Sequence, residues 1–320
     1  MPVPATEPSP VPVLQANRCA DDRYPALAGE WLVGCVADDA VNVALSLATH
    51  VVVTLTEPVR SPALGRGWLW SPGRAAGAWV LPAARRGPLA PGVEAALVPT
   101  EGVGPAALAT VQDEGVQRWL AAVPYATHID LLDLASHTWP RFDARPLPGE
   151  PVAVGYGWAA WTERAADTDD DVWIVRTQDA VPITVDGQAV SAGQPTRLAG
   201  GPGDQRGVVA AGQFVWWLDT SSDRAIRLDL ADGTRASFEA ETGFEAGLTL
   251  TDDGATACWE DRRLLDTPAG IDIRCSDGTV ESRPGDQRWP SLGAGWLVYR
   301  EGQQVLARPF TASSPSPGSP

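Results

Sequence analysis

A five-residue motif that occurs twice constrains the fold of this chain more than any other feature. The motif reads Pro-Gly-Asp-Gln-Arg at residues 202–206 and again at residues 284–288, 82 residues later. A degenerate version at residues 20–33 aligns with residues 285–298. Self-similarity at a regular spacing is typical of repeat architectures, in which each unit buries its apolar face against the next. We therefore expect a repeat protein.

The repeat unit has the length and pattern of a four-stranded propeller blade. Short apolar or alternating runs, separated by Gly, Pro and Asp, predict β-strands throughout, and a recurring Asp-Gly-Thr predicts a hairpin turn. Units of roughly 40–50 residues fit such blades. Seven units follow one another at spacings of 37 to 56 residues, anchored at Pro25, Pro62, Pro105, Val152, Val208, Thr249 and Pro290.

The two ends of the repeat region predict how the ring closes. The last unit contains only three strands, and residues 12–16 align with the run into a missing fourth strand. We expect this N-terminal segment to complete the last blade, which removes a free sheet edge. The domain prediction is a flexible Pro-rich linker at residues 1–10, the propeller at residues 11–310 and a disordered Ser/Pro tail at residues 311–320.

The 14 tryptophans fit the same scheme. An indole buries about 150–250 Å², and we expect Trp31, Trp68, Trp158 and Trp296 to pack between blades. Trp289 flanks the motif, and for this residue core packing and ligand stacking both stay open.

The pattern P-x-[LIV]-x-G followed by a hydrophobic-aromatic strand resembles the TolB-like β-propellers and the related surface-layer repeats. The resemblance covers about residues 11–310. It implies an all-β, seven-bladed propeller of four-stranded antiparallel blades, closed by an N-terminal strand. It also implies a protein-interaction or cell-envelope role, although propellers host unrelated activities.

The charge balance limits the partners. The formal net charge is −16, the pI is about 4.5 and every basic residue is Arg. Such a surface repels phosphate backbones and anionic lipid, which argues against nucleic acid or membrane-surface binding. The longest apolar run, residues 41–55, is too short and too polar for a transmembrane helix.

The four cysteines form two local pairs, Cys19 with Cys35 and Cys258 with Cys275. Two short-loop disulfides would indicate an oxidising compartment, whereas four reduced, buried cysteines are the alternative. No metal is expected, because no histidine clusters with a cysteine and C-x-x-C is absent. With the Pro-rich start, this pattern favours an extracytoplasmic protein: periplasmic, secreted or an outer-surface lipoprotein.

The charged residues in the loops that lead into the first strand of several units are the candidate ligand-binding site. In a propeller these loops surround one mouth of the central channel, where converging charges could hold a carboxylate-bearing ligand. The alternative is that each Asp-x-Arg bridges to the neighbouring blade. The candidates are Asp21, Arg23, Arg60, Asp204, Arg206, Asp286, Arg288 and Trp289.

The acidic run at residues 167–171 is a second candidate. It could bind calcium, or it could be a solvated turn between two strands, which the missing EF-hand Gly and Glu favour.

No catalytic motif is present, so we predict a binding module without a cofactor, a monomer whose partner is a protein or a cell-envelope ligand. A hydrolase or lyase acting on a carbohydrate or acidic substrate, and a purely structural module, are the alternatives.

Overall fold

The structure is a computed structural model of the 320-residue chain. It describes residues 10–15, 26–28, 30–37, 40–59, 63–65, 68–71, 77–80, 85–87, 107–113, 116–133, 140–164, 169–177, 182–186, 188–241, 247–263 and 270–312.

The described chain is all-β, as predicted. Its first sixteen strands are β1 (Val11–Gln15), β2 (Ala26–Ala28), β3 (Trp31–Ala37), β4 (Ala40–Ser46), β5 (Val52–Val59), β6 (Ala63–Gly65), β7 (Trp68–Ser71), β8 (Gly77–Val80), β9 (Arg85–Gly87), β10 (Ala107–Asp113), β11 (Val116–Pro124), β12 (His128–Asp133), β13 (Arg141–Asp143), β14 (Val152–Gly155), β15 (Trp158–Arg164) and β16 (Asp170–Arg176). The remaining strands are β17 (Thr184–Val185), β18 (Gln188–Ala189), β19 (Thr196–Ala199), β20 (Gln205–Ala211), β21 (Phe214–Asp219), β22 (Arg224–Asp229), β23 (Arg235–Glu239), β24 (Thr249–Leu250), β25 (Ala257–Asp261), β26 (Asp272–Cys275), β27 (Val280–Glu281), β28 (Gln287–Gly293), β29 (Trp296–Glu301) and β30 (Gln304–Pro309).

The described strands pair into four-stranded antiparallel sheets, numbered here in chain order. Sheets 1 to 3 are β2-β3-β4-β5, β6-β7-β8-β9 and β10-β11-β12-β13, and sheet 4 is β14-β15-β16-β19. Sheets 5 and 6 are β20-β21-β22-β23 and β24-β25-β26-β27, and sheet 7 is β28-β29-β30-β1. A two-stranded hairpin, β17-β18, is inserted before β19.

The second strand of each well-described sheet is buried on both faces, because a neighbouring sheet covers each face. In β15 the residues from Trp158 to Thr162 are all buried, and β21 has four consecutive buried residues. Outer strands alternate instead, as β23 does between exposed and partly buried positions. Continuous apolar runs therefore mark inner strands, and period-2 runs mark outer ones.

Apolar clusters fill the spaces between consecutive sheets. Trp158 of sheet 4 packs with Trp217 of sheet 5, and Trp296 of sheet 7 packs against a cluster shared with sheet 1. Trp31 and Trp158 are each 6% exposed. Truncating a buried indole of this kind costs about 3–5 kcal/mol. The Trp68 side chain lies outside the described part of the structure.

The first strands of consecutive sheets contact one another, and β28 of sheet 7 contacts β2 of sheet 1. The amide of Leu27 in β2 donates a buried hydrogen bond to Ser291 Oγ in β28 at 2.8 Å. The N-terminal strand β1 pairs with β30, with Val11 opposite Ala307.

One disulfide lies within sheet 6. Cys258 of β25 and Cys275 of β26 face each other directly in the strand register and are bonded. Their Cα atoms are 4.0 Å apart. Cys19 lies outside the described residues, as does the side chain of Cys35.

Candidate functional site

Both copies of the repeated motif form the same turn, which leads into the first strand of a sheet, β20 in sheet 5 and β28 in sheet 7. In each copy the Gln side chain folds back and donates to a glycine carbonyl of its own motif. Gln205 donates to Gly203 O and Gln287 donates to Gly285 O, both at 2.9 Å. Both glutamines are almost fully buried, at 4% and 0% exposure. Each Gln therefore satisfies a turn carbonyl that burial would otherwise leave without a donor.

The aspartate of each copy joins its turn to the preceding sheet. Asp204 Oδ1 accepts a hydrogen bond from the Asp170 amide in sheet 4, and Asp286 Oδ1 accepts one from the Ile271 amide beside β26, both at 3.2 Å. The second carboxylate oxygen faces the arginine of the same motif. The distances are 3.0 Å from Asp204 to Arg206 and 2.9 Å from Asp286 to Arg288.

The two copies differ in whether the arginine forms an ion pair outside its own turn. Arg206 forms an ion pair with Asp170, a fully buried carboxylate that Arg164 also binds at 3.0 Å. The corresponding residue beside the second copy is Ile271, which carries no charge. Arg206 therefore bridges two sheets, whereas Arg288 forms an ion pair with Asp286 of its own turn.

The residue after the arginine adopts a left-handed backbone in both copies, where the strand contains a β-bulge. This residue is Gly207 (φ 65°) in the first copy and Trp289 (φ 52°) in the second. A left-handed backbone costs a non-glycine residue about 1–2 kcal/mol. Such strain in a bulky residue is more typical of functional positions than of ordinary packing.

A buried or partly buried glutamate holds each bulge in place. The Gly207 amide donates to Glu150 Oε2 at 3.1 Å, and the Trp289 amide donates to Glu260 Oε1 at 2.8 Å. Glu260 is 2% exposed, and burial raises the pKa of its carboxyl, against the opposing effects of the Trp289 amide, Arg262 and Arg288.

The Trp289 ring lies beside arginines of two adjacent strands. The guanidinium of Arg300 stands 4.5 Å from the centroid of the Trp289 ring, and its Nε donates to Gly302 O at 2.6 Å. Arg300 lies directly opposite Arg288 in the pairing of β28 with β29. Burial, and then the charge of Arg288, lower the pKa of Arg300. Among the described residues, no carboxylate pairs with Arg300.

We call Arg288, Trp289 and Arg300 the arginine–tryptophan site. Two guanidinium groups on adjacent strands repel each other, and Arg300 has no counter-charge among the described residues. A bound anion would relieve this repulsion. Guanidinium forks bind carboxylates through two parallel hydrogen bonds, so the arrangement suits a carboxylate ligand beside an indole.

The acidic run at residues 167–171 differs from the predicted solvated turn. Asp170 and Asp171 belong to β16 and are fully buried. Asp171 pairs with Arg197 at 2.7 Å, and Asp169 accepts a hydrogen bond from the Gly203 amide at 3.1 Å. The expectation of a solvated turn is wrong for these residues, because the carboxylates neutralise arginines and bind the neighbouring turn.

The structure brings together only part of the predicted site. Asp204, Arg206, Asp286, Arg288 and Trp289 occupy equivalent turns in sheets 5 and 7. Asp21, Arg23 and Arg60 lie outside the described residues, as do positions 167 and 168.

Sequence reasoning missed Arg300 and Glu260. The hairpin turn at Ala294 and Gly295 gives a partial signal for Arg300, because counting outward from it places Arg300 opposite Trp289. The β-bulge, which the sequence did not show, then shifts Arg300 opposite Arg288. Glu260 gives no comparable signal, since it looks like an ordinary charged residue at the end of a strand.

Comparisons with known proteins identify the class and nothing narrower. No family model and no curated protein match the chain. Among solved structures, the chain is similar to U3-55K, with a TM-score of 0.57 and 8% identity over 92% of this chain and 98% of that one. It is also similar to a chain of the mitotic checkpoint complex, with a TM-score of 0.56 and 10% identity over 97% and 98%.

A third match, to the tricorn protease, has a TM-score of 0.40 and 12% identity over 86% of this chain, and the chain spans 27% of the length of that protein. The fold and its neighbours place the chain in the class of β-propellers. At these identities the likeness extends to the fold alone. In the described residues, no helix is long and apolar enough to cross a membrane.

Proposed function

We propose that this chain is an extracytoplasmic binding module, built as a closed seven-bladed β-propeller. Its ligand carries a carboxylate group and binds at the arginine–tryptophan site. The observation that carries the proposal is the divergence of two otherwise equivalent turns. The turn at residues 202–206 is joined to the neighbouring sheet by the ion pair between Arg206 and Asp170. In the turn at residues 284–288, the next residue is Trp289, whose ring lies against the guanidinium of Arg300.

The closed ring rests on three observations. Seven four-stranded sheets occur in the described residues, and their first strands contact one another in succession, including β28 against β2. The pairing of β1 with β30 matches a last blade completed by the N-terminal strand. A ring of this kind places the turns before all first strands at one mouth of a channel, with the arginine–tryptophan site among them.

The extracytoplasmic location is supported by the Cys258–Cys275 disulfide, because such bonds persist in oxidising compartments. The resemblance of the repeat to TolB-like propellers points to the same location.

Binding is favoured over catalysis by the carboxyl groups near the site. A glycoside hydrolase typically uses a pair of carboxyl groups that face one accessible space. Glu260 has a raised pKa but is buried and occupied by the Trp289 amide, while Asp286 binds the Ile271 amide and Arg288. Both carboxyl groups therefore support the local structure.

Thermal unfolding with two matched pairs of probes tests the proposal. One pair is a glutamate-containing peptide and its glutamine counterpart, and the other is an oligogalacturonate and its methyl ester. We expect an acidic probe to raise the Tm and its neutral counterpart to have no effect. The two pairs distinguish a protein ligand from an envelope glycan.

The variants assign the shift to the site. Arg300→Met removes the guanidinium but keeps an apolar stem, and Trp289→Gly installs the residue of the first copy. We expect both variants to lose the ligand-induced shift. Arg224→Met is the control, since it makes the same charge change on a residue whose side chain bonds Ser237 in sheet 5. An equal shift in Arg300→Met, or no shift with any acidic probe, would contradict the proposal.

A further inference from the structure

A buried carboxylate of sheet 6 contacts the backbone of the arginine–tryptophan site. Glu260 of β25 is 2% exposed, and its Oε1 accepts a hydrogen bond from the Trp289 amide at 2.8 Å. Cys258, two residues earlier on β25, belongs to the cluster between sheets 6 and 7. Because side chains two positions apart on a strand share a face, Glu260 also faces sheet 7. This carboxylate therefore lies against the strand that carries the site.

The charged groups nearest to Glu260 come from its own strand and from sheet 7. On β25, Nη2 of Arg262 lies 3.5 Å from Oε2 of Glu260. On β28, the positive charge of Arg288 acts on the same carboxyl group, and Arg288 also pairs with Asp286 at 2.9 Å. Ile273, opposite Glu260 on β26, has no charge, and neither residue of β24 has one.

The next charged groups lie one strand further away on each side. Arg300 of β29 stands opposite Arg288. Glu281 of β27 lies beyond β26, and it already forms a hydrogen bond and an ion pair with sheet 7. Near the site, three arginines thus face two carboxylates, so a proton on Glu260 makes the site more cationic.

The two oxygens of Glu260 have different neighbours. Oε1 accepts from the Trp289 amide, whereas Oε2 faces Arg262. A proton on Oε2 leaves Oε1 as a carbonyl oxygen that still accepts this hydrogen bond. Protonation therefore changes the charge and keeps the bulge in place. Burial raises the pKa of Glu260, against the opposing effects of the Trp289 amide, Arg262 and Arg288, and this brings the titration closer to neutral pH.

We infer that ligand binding at the arginine–tryptophan site is linked to protonation of Glu260, so that an anionic ligand binds more tightly when this carboxyl group is neutral. The inference rests on the proposed function and assigns a pH dependence to the same site. An ionised Glu260 and a bound anion both face Arg288, and like charges repel each other. Because linkage is reciprocal, the bound anion also favours the proton on Glu260. Repulsion between two such partly buried charges corresponds to about tenfold in Kd.

The test needs a ligand that does not itself titrate. The probe is the peptide acetyl-Gly-cysteate-Gly-amide, whose sulfonate stays ionised throughout the acidic range. Competition with acetyl-Gly-Glu-Gly-amide at neutral pH shows whether both anions occupy one site. Isothermal titration calorimetry of the oxidised full chain, in two buffers with different heats of ionisation, measures the protons taken up for each ligand bound.

We expect the Kd of the wild type to fall by about tenfold as the pH decreases through the titration of Glu260, with proton uptake within that range. Glu260→Gln keeps the acceptor oxygen and has no charge. This variant should bind about tenfold more tightly than the wild type at neutral pH, with no proton uptake. Glu239→Gln is the matched control, because it removes the same charge from a side chain of sheet 5 that is 78% exposed. It should titrate as the wild type does.

Three outcomes would overturn the inference and leave the proposed function in place. Binding by the wild type without proton uptake would do so even if Glu260→Gln did not fold. Proton uptake that persists in Glu260→Gln would mean that another carboxyl group, such as Asp286, takes the proton. Equal tightening in Glu260→Gln and Glu239→Gln would mean that only the overall charge matters. No binding of either peptide at any pH would overturn the proposed function, and this inference with it.

Discussion

Glu281 of β27 accepts a hydrogen bond from the Tyr299 hydroxyl of β29 at 2.7 Å, across the boundary between sheets 6 and 7. The other carboxylate oxygen lies 3.0 Å from Nε of Arg308, whose side chain is 4% exposed. Burial and the neighbouring Glu281 raise the pKa of the Tyr299 phenol well above its ordinary value. A single carboxylate thus joins two residues of the next sheet.

Replacing Glu281 with Gln should lower the free energy of unfolding by about 3 kcal/mol, because the buried charge facing Arg308 is lost. Tyr299→Phe removes only a hydrogen bond and should cost about 1–2 kcal/mol. Urea unfolding of both variants measures the difference. Equal costs would show that the ion pair with Arg308 contributes little.

The two motif arginines should differ in their effect on stability. Arg206→Ala removes a partner of the buried Asp170 and should cost about 2 kcal/mol, while Arg164 remains to limit the loss. Arg288→Ala removes a half-exposed pair within one turn and should cost less than about 1 kcal/mol. Chemical unfolding of the two single variants tests this ranking, and a reversed order would argue against the assignment of Arg206 as the bridging residue.

The pH dependence of stability should carry a contribution from Glu260. Burial raises the pKa of this carboxyl in the folded state above its value in the unfolded chain. The folded state therefore binds the proton more tightly, and this contribution to stability is present below the unfolded pKa. It is lost as the pH rises from the unfolded pKa through the folded pKa.

Glu260→Gln removes this titration but keeps an oxygen that can accept from the Trp289 amide. The difference in unfolding free energy between wild type and variant, measured across the acidic range, should change in favour of the variant as the pH rises. A difference that does not vary with pH would mean that the Glu260 pKa is the same in the folded and unfolded states.

The Cys258–Cys275 disulfide should stabilise the chain by about 3 kcal/mol, since its cysteines are 17 residues apart. The double variant Cys258→Ala/Cys275→Ala measures this value by guanidinium unfolding. A variant is preferable to a reducing agent, because the variant changes this pair of cysteines alone. A stability equal to that of wild type would mean that the strand pairing alone fixes this edge of sheet 6.

The architecture follows from local pattern. Alternation, hairpin signals and the repeat spacing predicted an all-β chain and three strands in the last unit, which are β28, β29 and β30 of sheet 7. These signals are local because strand periodicity and turn chemistry depend on residues only a few positions apart. The bonded pair Cys258 and Cys275 was predicted for the same reason, since a single hairpin brings these cysteines together.

The burial of Asp170 could not be predicted locally. An acidic run reads as a solvated turn until two arginines, one from a different sheet, are placed against it. The desolvation of a carboxylate is decided by the groups that surround it in space.

The sequence alone determined that residues 202–206 and 284–288 would form equivalent turns, because identical residues make the same local hydrogen bonds, as Gln205 and Gln287 do. Only the tertiary structure decided that the turns differ in role. Arg206 meets Asp170 on the preceding sheet, while Arg288 has Ile271 at that position and lies opposite Arg300. Charge pairing depends on distance in space, and that distance is set by the packing of one sheet against another.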